Sequence, residues 1–183
     1  MRNRLLEITF VFLLITVSIS GQIISSFNAG GTIHLGSIAG NSPSVTSGGG
    51  SLFFDFYPWF EHDVSFRTSI LFSQKIEKFL PGNNIDMTYP FIKAFSLKGF
   101  IRQDFSYPFY LEEGAGILLL NDRTFVNVNV WDIGTSFAVM IGYDFRQNGP
   151  KGFCVGAGFE YGITFTNTNA NYLLYYLQGQ YYF

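Results

Sequence analysis

The sequence predicts an all-β fold, an eight-stranded antiparallel up-and-down transmembrane β-barrel. Three observations predict it. Eight segments alternate apolar and polar residues with period two, the pattern of strands whose faces meet different surroundings. The composition is aromatic-rich and charge-poor. There are 22 Phe and 11 Tyr, and only 13% of residues are charged, against roughly 25% in ordinary soluble domains. The connections between segments alternate in character, long and polar, then tight. A length of 183 residues fits one domain.

The chain opens with a targeting segment. Arg2 and Arg4 form a basic start, residues 8–17 are almost wholly apolar, and Ser18 and Ser20 supply small residues before Gly21. This is the pattern of a secretory signal peptide. Glu7 departs from it, but the apolar stretch is too short to anchor a helix in a bilayer. Residues 1–20 are therefore expected to be cleaved, after Ser20 or Gly21, leaving residues 21–183 as the barrel domain.

The strands follow in order. Over residues 26–35, Phe27, Ala29, Gly31, Ile33 and Leu35 share a face opposite Asn28, Thr32 and His34. Residues 51–57 set Leu52, Phe54 and Phe56 against Phe53 and Asp55. In 64–73, Val64, Phe66, Ile70 and Phe72 oppose Ser65, Arg67, Ser69 and Ser73. In 91–102, Phe95, Leu97 and Ile101 oppose Ser96, Lys98 and Arg102. Residues 109–119 carry Leu111, Ile117 and Leu119 against Glu112, with Glu113 interrupting the apolar face. Residues 131–143 set Trp131, Ile133, Phe137 and Val139 against Asp132 and Ser136. The seventh segment, 153–163, is the cleanest, with Phe153, Val155, Phe159 and Tyr161 opposite Cys154, Glu160 and three glycines. The eighth, 172–183, sets Tyr175, Leu177, Tyr181 and Phe183 against Leu174, Tyr176, Gln178 and Tyr182.

Four connections are expected to be long (39–50, 74–90, 121–130 and 165–171) and three short (58–63, 103–108 and 146–151). Long loops at one end and short turns at the other mark an outer-membrane barrel. Both termini then lie at the short-turn end, in the periplasm. Trp59 and Trp131 fall near opposite strand ends, where amphipathic rings favour the membrane boundary. Closure follows from the solvent. In lipid an open edge leaves backbone groups unpaired at several kcal/mol each.

The tail "YLLYYLQGQYYF" resembles the C-terminal strand of outer-membrane barrels, and "YPFYLEEGAGILL" resembles a strand of the porin-like outer-membrane β-barrel family. The likeness covers the whole mature chain as architecture. It implies a cell outer-membrane location and recognition of Tyr181 and Phe183 by the barrel-assembly machinery as an assembly signal. It implies a fold and an address more than an activity.

The inner face collects Asp55, Arg67, Lys98, Glu112 and Glu160. In a narrow lumen these charges are forced together, and burial of any one unpaired would be costly. The expected reading is a structural ion-pair plug, with a gated ion path as the alternative. His34 is expected to point inward and His62 to lie in a turn. Neither stands in a spacing with Ser37, Ser73 and an acid that would mark a hydrolytic triad, and no clustered metal ligands accompany them. "GGTIHLG" and "GAGFEYG" lack the following helix of a phosphate loop. Cys154, the lone cysteine, reads as a small buried apolar residue. No catalytic residue, metal or cofactor is expected. A net charge of −2 without a basic patch argues against nucleic acid.

The leading functional expectation is a non-enzymatic integral outer-membrane protein with a structural or surface-interaction role. Outer-membrane lipid surrounds it, and its long loops are free to meet a surface ligand. The alternative is a small porin-like channel, and an outer-membrane lipid-modifying enzyme ranks third. Bulky inward residues Phe53, Leu71, Tyr176 and Tyr182 favour a closed lumen.

Overall fold

The structure, a computed structural model, describes residues 24–58, 63–80, 89–125, 127–146 and 149–183. The expected leader over residues 1–20, Trp59 and His62 lie outside the described residues. Eight strands form one closed antiparallel barrel: β1 (Ile24–Ala39), β2 (Val45–Pro58), β3 (Val64–Lys75), β4 (Phe91–Ser106), β5 (Phe109–Arg123), β6 (Val130–Asp144), β7 (Gly152–Thr164) and β8 (Asn171–Tyr182). Each strand pairs with the next. β8 returns to β1, from Asn28 opposite Tyr182 to Ala39 opposite Asn171. Both termini lie at one rim, where the Phe183 N–H donates to the Phe27 carbonyl at 3.2 Å.

The alternating side chains sort as the period requires. Leu52, Ile70, Leu97, Ile117, Ile133, Phe159 and Leu177 point outward and are exposed. A continuous apolar surface of this extent far exceeds what water-soluble proteins show and suits lipid. Phe53, Leu71, Tyr176 and Tyr182 point inward and are buried. Glu113 points outward, opposite Ile101 and Val139.

The connections differ from expectation. Residues 45–50 belong to β2, so the first connection is only 40–44. Gly48, Gly49 and Gly50 are paired on both sides, with Leu35, His34 and Ile33 of β1 and Gln74, Ser73 and Phe72 of β3. A glycine run reads as a flexible loop when its composition alone is weighed. Here the ladder needs it, because a Cβ at Gly49 would collide with the Phe72 carbonyl. The turn expected at 103–108 contracts to Tyr107 and Pro108, and the loop expected at 121–130 to 124–129. Strand pairing outlasts the apolar alternation, because ladder hydrogen bonds satisfy the backbone whatever the side chains are. The expected contrast of long and short connections therefore reduces to one long connection, 76–90. Its first turn is a 3-10 helix, Ile76–Phe79.

Two carboxylates fasten the loops at the rim away from the termini. Asp122 accepts from the Asn41 backbone and side chain at 3.2 and 3.3 Å and from the Thr124 N–H and hydroxyl at 2.8 and 2.7 Å. Asp132 accepts from Thr166 Oγ1 and the Asn167 N–H, both at 2.7 Å, and from the Thr168 N–H and hydroxyl. The polar "TNTNANY" stretch is thus folded down onto β6.

Candidate functional site: the barrel lumen

Four layers of side chains fill the lumen. The first lies at the rim that holds the termini. Asp144, the last residue of β6, accepts from Arg102 at 2.9 Å and from Arg146 at 2.5 Å. Both guanidiniums stack on inward tyrosines, Arg102 over Tyr110 and Arg146 over Tyr182, each 3.8 Å from the ring centroid. Planar delocalised cations favour such stacking. Burial opposes the charge on Arg146, yet its hydrogen bonds to Asp144 outweigh that and raise its pKa above the ordinary arginine value. Tyr57 and Tyr182 share a hydroxyl–hydroxyl bond of 2.9 Å just inside.

The second layer is built around Arg67. Register places Asp55 of β2 and Lys98 of β4 on either side of it. The guanidinium donates to both Asp55 oxygens at 2.6 and 2.7 Å, to Glu112 at 3.2 Å, and to the side-chain carbonyls of Gln178 and Gln180 at 3.0 and 3.4 Å. Phe53 and Phe100 cover its two sides at 4.1 and 4.3 Å. The fork geometry of arginine suits the bidentate pairing, and the rings exclude water around it.

The third layer is a chain of three groups. Lys98 Nζ donates to Glu160 at 2.6 Å, and the Tyr172 hydroxyl donates to the other Glu160 oxygen at 2.7 Å. Between this chain and Arg67 lies a cavity of about 20 Å³, lined in part by Thr32, His34, Ser51 and Ser69, room for about one water. The fourth layer is apolar: Ile38, Leu71, Ile92, Leu118, Leu120 and Leu174 pack across the lumen toward the far rim.

The structure therefore brings Asp55, Arg67 and Glu112 into one cluster and Lys98 and Glu160 into another. Sequence reasoning left out Arg102, Asp144 and Arg146. The signal for Arg102 was present, since parity puts it on the face of Ser96 and Lys98; its register opposite Glu112 is seen only in the structure. Asp144 lies one residue beyond the expected end of its strand. His34 is inward and buried, and its Nε2 has no hydrogen-bond partner among the described residues. Ser73 bonds to Ser47 at 3.0 Å instead. No cluster of three or more metal-binding side chains occurs among the described residues. Cys154 is buried beside Met140 and Tyr110.

The closed small barrel has known counterparts in fold. The solved structures it resembles are small eight-stranded outer-membrane β-barrels. Neisserial surface protein A aligns over 84% of this chain and 95% of its own, with 11% identity and a TM-score of 0.65. Ail, the attachment invasion locus protein of Yersinia pestis, solved with the heparin analogue sucrose octasulfate, aligns over 86% of this chain and 99% of its own, with 11% identity and a TM-score of 0.53. At such identity the likeness is one of fold. No family model and no curated protein matches the chain.

Proposed function

We propose that this chain is an integral protein of the bacterial outer membrane, with a structural or surface-interaction role and no catalytic activity. The observation that carries this reading is the filled lumen: ion pairs at its middle, Arg–Tyr stacks at one end and an apolar plug at the other. Eight strands leave space only for side chains, whereas water-filled porins use about sixteen or more. Purified barrels in planar bilayers should show no sustained conductance. Stable, ion-selective current would replace this reading with the small-channel alternative.

The termini face the periplasm in this proposal. Support comes from the one long connection, 76–90, which leaves the opposite rim, as extracellular loops do. That rim is where a surface ligand would bind. Ail, by the description of its structure, binds a sulfated saccharide analogue, and a polyanionic surface ligand is the corresponding candidate here.

The barrel-assembly machinery is the proposed partner during insertion, reading Tyr181 and Phe183. Phe183 is half-exposed and stacks on Phe27 at 5.0 Å, with Tyr181 edge-on at 5.2 Å. A fully buried Phe contributes about 1.5–3 kcal/mol, and this one contributes less. Deleting Phe183 should therefore lower the amount inserted in cells far more than it lowers the stability of refolded barrel. Heat-modifiable band intensity in outer-membrane fractions and the urea midpoint in lipid make the comparison. Normal insertion without Phe183 would remove the assembly-signal role.

A further inference from the structure

The outer surface of the barrel is not uniformly filled. Where β7, β8, β1 and β2 meet, it sinks into an apolar groove of about 910 Å³. Outward Leu35, Tyr175 and Leu177 form its walls and Gly48 part of its floor, while Ile76 and Phe79 hang over its far-rim end. A second groove of about 500 Å³ continues toward the rim that holds the termini, past Val155 and Tyr143, and shares Ala157 and Leu177 with the first. The result is one elongated apolar furrow along the lipid-facing wall.

The overhang follows from helix geometry. A 3-10 helix has three residues per turn, so side chains at i and i+3 eclipse. Ile76 and Phe79 therefore fall on one side and both line the groove. Lys78, beside Phe79 in the same turn, is exposed, whereas Lys75 is the last residue of β3, opposite buried Ser47. Lys75 pairs with Glu77 at 2.8 Å, and Lys78 lies over the Tyr89 ring at 5.6 Å. The overhang thus presents the Lys78 ammonium beside exposed Phe79 and Leu80, while Lys75 is taken up by Glu77.

We propose that this furrow seats an acyl chain of a phosphate-bearing membrane lipid, with its headgroup at Lys78. The inference rests on the membrane reading above. An elongated apolar furrow fits one hydrocarbon chain, and Lys78, next in the chain to groove-lining Phe79, complements an anionic headgroup placed at the level of the rim. Ordinary annular lipid needs neither an overhang nor a furrow.

The test uses the chain purified from membranes into nanodiscs of phosphatidylcholine. Each disc is doped with either phosphatidylglycerol or phosphatidylcholine carrying a diazirine on the acyl chain. Photoadducts are mapped by peptide mass spectrometry. Adducts should concentrate on Phe79, Tyr175 and Leu177 over Leu97 and Ile117 on the opposite wall, β4 and β5. Phosphatidylglycerol should be favoured by about fivefold for the one lysine engaged. Ala157→Trp, at the joint of the two grooves, should abolish the groove adducts and leave the opposite wall labelled as before. Gly48→Leu is a second blocking variant, since its Cβ meets only the flexible end of Leu35, at 3.1 Å, and a carbonyl at 3.6 Å. Lys78→Gln should remove the preference for the anionic lipid while groove labelling persists. Even labelling around the belt overturns the inference, as does unchanged labelling in both blocking variants. So does a groove left unlabelled because a cross-linkable second copy covers it. A chain that fails to insert at all contradicts the membrane reading instead.

Discussion

Replacing Arg67 with Met should destabilise the barrel by about 3–5 kcal/mol, the cost of removing one partner from a buried ion pair. The side chain is 4% exposed and Asp55 wholly buried, so solvent screens little of the loss. The variant leaves Asp55 and Glu112 facing each other's charge without the guanidinium that separates them, and removes the Arg67 donor from the Gln178 carbonyl, while Gln180 still accepts from the Gln178 amide at 2.9 Å. Met fills the slot between Phe53 and Phe100, so the loss is electrostatic rather than one of packing. Arg67→Lys should recover part of the loss, since an ammonium keeps the charge but cannot reproduce the fork to Asp55. Urea unfolding of refolded protein in lipid makes the measurement. An unchanged midpoint for Arg67→Met would mean that water already compensates these charges. Neutralising the carboxylates together, with Asp55→Asn and Glu112→Gln in the Met background, should restore part of the stability.

The outward face should reject charge as strongly as the inward face requires it. Phe159 lies mid-strand on β7, exposed, beside Val139 and Tyr175. An arginine there costs roughly 2–4 kcal/mol if the position is at the bilayer midplane. Phe159→Leu keeps an apolar side chain in lipid and should cost much less. The same urea titration compares them. Equal effects would mean that β7 turns its other face to the lipid. Glu113 offers an internal comparison. It already projects outward only four residues beyond the start of β5, where charge is tolerated better than at midplane.

Much of this was readable in advance, for reasons that differ between regions. The faces of β7 were legible because every outward position between Phe153 and Ile163 is apolar and every inward one small or polar, and a strand allows only two faces. Arg67, Lys98 and their acids were legible as inward residues by the same parity. Their partners were not, because parity is silent on register. Asp55 meets Arg67 only because the β2–β3 connection sets that pairing. Strand ends were the weakest point. Gly48 to Gly50 read as loop because glycine signals turns, and Asp144 fell outside its strand because the apolar face was closed at Tyr143, although the alternation runs on to exposed Phe145. The furrow left no trace in the sequence. It arises where β8 is laid against β1, bringing residues some 140 positions apart side by side, and no local window contains both.

That same junction has a consequence for biogenesis. Asn28 finds its partner in Tyr182 only after the whole chain between them exists. Until then β1 is an open template, with its backbone donors and acceptors on one side unanswered. Loop closure over such a separation carries an entropic cost that no earlier contact repays, and topologies dominated by distant pairings form slowly. The polypeptide therefore stays an unclosed strand set, with an aggregation-prone open edge, until its final dozen residues are in place. Ring closure is then the step that removes the last open edge.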